Sequence, residues 1–280
     1  MIDADVILAA HGSRHDPGIN AAIRGYAQAV SQRAAFSGVH CAFHQGDPAF
    51  STALDMVISS QVIVVPVMAS DGYYSQIVLP RELAKSSRCS EIAMTITKPL
   101  GSHLLVCHLM SRRLARLIEL HRLDPVTTSV VVIGHGTTRH SESANTTHDL
   151  VERLRGNPLQ DVFEAFLDEP PYVESVLDRA CNPTVVVLPF LIASGAHAVL
   201  DIPRRLGSNF RRAGSAMIGH SQGQRIIIDE PFGADPCVPE LLLDLALSAV
   251  HEFDSPLQID SISPSGFRGI LDRKFTVTPR

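Results

Sequence analysis

The sequence predicts an α/β protein of two tandem similar domains, each a mainly four-stranded parallel sheet flanked by helices. Three observations carry this. Runs such as Gln61 to Val67 and Thr184 to Val187 are β-branched and too apolar to alternate, the pattern of strands buried on both faces. These runs alternate with helical stretches, which implies parallel strands joined by right-handed crossovers. The pattern also recurs at a constant offset of 123 residues: AFHQGDPAFSTALD (42–55) returns as AFLDEPPYVESVLD (165–178), and VIVVPVMASDGYYSQIVLPREL (62–83) as VVVLPFLIASGAHAVLDIPRRL (185–206).

In order, Val6 to Ala10 is a strand ending in His11-Gly12-Ser13-Arg14, and Asn20 to Arg33 a helix. Val39 to Phe43 is the second strand, Pro48 to Ser59 a helix, and Gln61 to Val67 the third strand. A turn at Gly72 leads to a helix near Leu79 to Lys85, then to a strand from Ile92 to Thr97 and a long amphipathic helix from Leu104 to Leu120. VVIGHGTTRH (131–140) restarts the pattern, and 226–253 echoes 93–120 after a small insertion. The units are read as 1–124 and 125–253, with a Ser- and Pro-rich tail over 254–280.

Composition narrows the function. The 280 residues are 45% apolar with a net charge of −5, so neither a small core nor a basic nucleic-acid surface is expected. No apolar run reaches the roughly 18 residues of a membrane span, and the N-terminus does not read as a signal peptide. Five scattered cysteines without a CxxC pair suit reduced thiols in a cytoplasmic protein.

In open α/β sheets, ligands gather beyond the carboxyl ends of the strands. The second half is expected to present His135, Glu164 and His197 at three successive strand ends, where the first half has His11, Cys41 and Tyr74. Adjacent strands lie about 4.8 Å apart, so the three side chains are expected to converge. Two imidazoles and a carboxylate suit a divalent metal such as Fe, Co, Ni or Zn, and also proton abstraction near neutral pH. The plainer reading makes His135 a helix cap, Glu164 a solvated carboxylate and His197 a surface histidine.

Strand–HGS/T–R, AFLDEP and PFLIASGAHAVLDIP together resemble the CbiX/SirB family of sirohydrochlorin chelatases, over roughly residues 4–253. The resemblance implies the duplicated form, with the active-site cleft between the two domains. It also implies a metal chelatase, a lyase inserting Co2+ or Fe2+ (with Ni2+ an alternative) into sirohydrochlorin in cobalamin or siroheme biosynthesis. His135, His197 and Glu164 match the catalytic and metal-binding groups. His11, Arg14, Arg139, Arg204, Arg205 and Tyr74 are candidates for binding the polycarboxylate tetrapyrrole, with Arg81 from the first half. Cys41 and Tyr74 depart from the pattern, so the first half reads as a degenerate copy forming the second wall. No tightly bound cofactor is expected, nor a nucleic-acid or membrane partner. The protein would be a monomer with two pseudo-symmetric halves, or a homodimer.

Two rivals remain. GHSQG (219–223) matches the hydrolase nucleophile elbow, but the stretch before it reads as a loop and a strand follows it, the reverse of the required order. The other rival is a non-catalytic carrier of metal or tetrapyrrole that kept the cleft.

Overall fold

The computed structural model describes residues 2–137, 144–156, 158–193, 195, 197–207 and 209–250, with the side chains of 197 and 199 outside that description. Arg139, His140 and the 254–280 tail therefore lie outside the described residues.

The first sheet holds β1 (Ile2–Ala10), β2 (Phe36–Phe43), β3 (Gln61–Val67) and β4 (Ala93–Ile96), in the order β2-β1-β3-β4. All its pairings are parallel. The second repeats this with β5 (Thr128–Gly134), β6 (Val162–Phe166) and β7 (Thr184–Pro189), in the order β6-β5-β7. It then differs. The connector expected to be a loop forms an antiparallel hairpin, β8 (Arg211–Ala213) and β9 (Ala216–Ser221), which pairs with β10 (Gln224–Ile228). The second sheet is therefore six-stranded and mixed.

Gln222 and Gly223, both at positive φ, make the two-residue turn between β9 and β10. Ser221 thus sits at a hairpin tip with its hydroxyl on the Gly207 carbonyl, 3.3 Å away. No nucleophile elbow exists there. The expected helix over Pro48 to Ser59 is only a 3₁₀ segment, Phe50–Met56. Its buried Phe50, Ala53 and Leu54 anchor it on the sheet, but no side chain caps its start.

Four helices lie between the sheets: α1 (Pro17–Ser31), α3 (Val106–His121), α4 (Asn145–Leu154) and α7 (Val238–Val250). On β1, Val6, Leu8 and Ala10 face them, as do Val130 and Val132 on β5, so one continuous core joins both halves. The short helices α2 (Leu79–Leu83), α5 (Val176–Arg179) and α6 (Ile202–Arg205) cover the outer faces.

The closing helices cross over. α7, at the end of the second half, packs on α1 and β3 of the first, and α3 packs on α4. Polar ties reinforce this crossing. Arg113 meets Asp229 at 2.7 Å, His103 meets Asp244 at 2.9 Å, and the Tyr26 hydroxyl donates to the Gly233 carbonyl.

Candidate functional site

His135 follows β5 directly, at the carboxyl edge of the second sheet. Gly136 beside it has φ +72°, and a Cβ there would strike the Glu169 side chain at 2.8 Å. This position therefore takes glycine. Its counterpart Gly12, after His11, also has positive φ. The Glu169 carboxylate accepts the Thr137 N–H at 3.0 Å, tying this turn to the loop after β6. In that loop the Asp168 N–H donates to the His135 carbonyl at 3.0 Å.

The structure corrects the acidic partner. Glu164 does not end its strand; it pairs with Val132 in the middle of β6. The strand alternation puts it with Val162 on the α4 side, where its carboxylate lies 3.8 Å from His148 Nδ1. It stands two residues back from the end of the strand, about 7 Å. Asp168 takes the place expected of it, with Oδ2 3.4 Å from His135 Nδ1. The signal was in the sequence: AFLDEP carries a carboxylate just past the strand, as HGT carries the imidazole.

The His135 tautomer follows from its surroundings. Nδ1 lies 3.2 Å from the Gly136 carbonyl, and a carbonyl only accepts. Nδ1 therefore carries the proton in this contact.

His197 begins a wide π-helical turn, His197–Asp201, leading into α6. Tyr74 begins the matching turn, Tyr74–Val78, in the first half. Such turns are rare and cluster at functional sites. Among the described residues no group of three His, Cys, Asp or Glu stands at metal-ligand geometry, and the His197 side chain is outside them. The convergence of His135, Glu164 and His197 is thus overturned at Glu164.

The arginines divide by use. Arg205 donates to the Leu167 carbonyl at 2.6 Å and faces Glu174 at 3.6 Å. It braces the Asp168 loop and is not presented to a ligand. Arg204 is exposed and lines an open groove of about 940 Å³ with Leu200, Phe210, Met217 and His220. Arg14 and Arg81 are exposed at the first sheet's edge.

There, His11 and Tyr74 stand with His44, which the sequence reading overlooked. Burial, with Arg14 and Arg81, outweighs Glu82 and lowers the His44 pKa, favouring the neutral ring. Cys41 points instead to the Ile23 carbonyl beneath α1, and burial pushes its thiol up to about 11. It is a core residue.

The two edges adjoin. A Cβ on Gly195 would meet Ile19 of α1 at 2.7 Å, and the Asp71 N–H donates to the Thr146 hydroxyl at 3.3 Å.

The family model CbiX matches residues 5–117 and 129–249, one match in each half. The chain belongs to the CbiX family. A relative from Halobacterium salinarum named "Probable sirohydrochlorin cobaltochelatase" is 26% identical over 219 residues, 71% of this chain and 75% of its own. SirB from Bacillus subtilis, solved with Fe3+, shares the CbiX-type fold with a TM-score of 0.73 at 16% identity, over 92% of this chain and 99% of its own. A multi-domain protein of Deinococcus radiodurans described as structurally similar to chelatases aligns with a TM-score of 0.63 at 22% identity, over 87% of this chain. This chain spans 54% of that protein. Among the described residues of this CbiX member, no helix is long and apolar enough to cross a membrane.

Proposed function

We propose that the chain is a sirohydrochlorin chelatase inserting Co2+ or Fe2+ into sirohydrochlorin, in cobalamin or siroheme biosynthesis. The observation that carries this is the His135 imidazole at the sheet edge, its Nδ1 proton held by the Gly136 carbonyl and its ring beside Asp168. The names of these relatives support the substrate and the choice of metals.

Insertion requires two pyrrole N–H protons to leave and the metal to shed water, with no change in oxidation state. His135 Nε2 takes a proton or binds the incoming ion, and Asp168 stabilises the charge that results. His197 supplies the second imidazole from the turn after β7. Exposed Arg14, Arg81 and Arg204 are the cations for the substrate's carboxylates, with Arg139 a further one by sequence. Five free cysteines suit a reducing cytoplasm.

The test mixes sirohydrochlorin anaerobically with Co2+ or Fe2+ and catalytic amounts of protein, following visible absorption. Rapid multiple turnovers are expected, lost in His135→Ala and kept in Ser221→Ala. A rate equal to the protein-free control with both metals overturns the reading in favour of a carrier.

A further inference from the structure

Arg205 is aimed at a single peptide unit beside the site. Its Nη1 donates to the Leu167 carbonyl at 2.6 Å. The N–H of the same peptide unit, that of Asp168, donates to the His135 carbonyl at 3.0 Å. The bond is trans, so the two groups point in opposite directions and the peptide is held from both sides. The side chain that leaves this peptide is Asp168, whose Oδ2 lies 3.4 Å from His135 Nδ1. Arg205 itself is carried by α6, which continues directly from the His197–Asp201 turn. Glu174 faces its guanidinium at 3.6 Å from a third segment.

We infer that Arg205 is a positioning residue: by holding the Leu167–Asp168 peptide from the α6 side, it sets the Asp168 carboxylate against His135 and ties the His197 turn to that pair. Its kinetic consequence rests on the chelatase reading; its geometry does not. A guanidinium–carbonyl bond is charge-assisted, and this one is the shorter of the two that hold the peptide. Without it the carbonyl end is released, and the peptide plane can tilt about the hydrogen bond that remains. A displacement of about 1 Å at a reacting group is enough to cost about a hundredfold in rate. The first half shows the other arrangement. There the N–H tie persists, with the Gln45 N–H donating to the His11 carbonyl at 2.7 Å. Glu82 stands at the offset position of Arg205, and a carboxylate has no donor for a carbonyl. It turns instead to Arg81 at 3.2 Å and Lys85 at 2.6 Å. Gln45 stands at the offset position of Asp168, so the half without the acid also lacks the cation that would aim it.

Arg205→Met keeps the aliphatic stem and removes the donors. In the full-length protein, hydrogen exchange at the Asp168 amide should speed by about tenfold or more, while the amides of β6 exchange as in the parent. That measurement needs no turnover. In anaerobic metallation of sirohydrochlorin, kcat should fall about 10–100-fold with KM within about threefold of the parent, and Arg205→Lys should recover most of the loss. A merely structural role predicts a lower Tm but no dependence on Asp168. The double variant separates the two: in Asp168→Asn, Arg205→Met should cost less than about threefold further. Full additivity in that cycle, or parent-like exchange at Asp168 in Arg205→Met, overturns the inference. Should Arg205→Met fail to fold, Arg205→Gln, two bonds too short to reach the carbonyl, is read by the same two measures. If neither parent nor variants turn over, the chelatase reading fails, and the exchange at Asp168 still decides whether Arg205 holds the peptide.

Discussion

Gly233→Ala tests how the crossed helices hold the site. A Cβ at Gly233 would lie 1.8 Å from the Ile192 carbonyl oxygen, on the loop between β7 and His197. Ordinary contact needs more than 3 Å, so backbone must part from backbone by about 1.5 Å. The movement also breaks the 3.1 Å hydrogen bond from the Gly233 N–H to the Leu191 carbonyl. Overpacking and the lost bond together cost about 3 kcal/mol, or about 6–12 °C in Tm for a chain of this size. Gly101 is the equivalent in the first half, with its Cβ 1.8 Å from the Ala69 carbonyl oxygen. Its substitution by alanine should destabilise similarly, but the loop it displaces leads to Tyr74. Metallation kcat of the folded protein should therefore fall about a hundredfold in Gly233→Ala, the scale of a misplaced catalytic group, and stay near the parent in Gly101→Ala. Thermal unfolding and the metallation assay measure both. A Gly233→Ala protein that melts with the parent, or equal loss of kcat in the two variants, refutes the reasoning.

Asp168→Asn should lower metal affinity or metallation rate by about 10–100-fold while Glu164→Ala stays close to the parent; the reverse order would restore Glu164. Asp5 is fully buried; burial raises its carboxyl, but hydrogen bonds from the Ser59 N–H, His40 and the Ile58 N–H outweigh this and hold it below the usual range. Its stabilisation is present above the unfolded carboxylate pKa and is lost as pH falls through the lowered folded value. Asp5→Asn should cost about 3 kcal/mol at neutral pH, with the difference closing below about pH 4, by denaturant titration at each pH. A chain ending at residue 124 lacks α7 over β3 and should show no cooperative unfolding by circular dichroism; a sharp transition would show that the crossing is dispensable.

The strands and the duplication were legible because they rest on local patterns. Burial on both faces writes continuous apolar runs for β3 and β7, and the offset survives in the letters themselves. His135 could be placed just past its strand end for the same reason, and His197 in the segment that follows β7. Glu164 was misplaced because β6 runs two residues beyond it, and with a period of two the face and depth of a carboxylate depend on where the strand stops. His44 was overlooked because its neighbours, His11 and Tyr74, come from loops 33 and 30 residues away in sequence.

By itself the sequence determined the α/β class, the repeat and which histidines follow which strands, since backbone sterics and side-chain alternation act between near neighbours. Only the tertiary structure decided that Asp168 stands beside His135, that Arg205 braces a loop, and that α7 closes the other half's sheet. Those outcomes depend on strand register and on which apolar face finds which partner, and no stretch of sequence carries its partner's position.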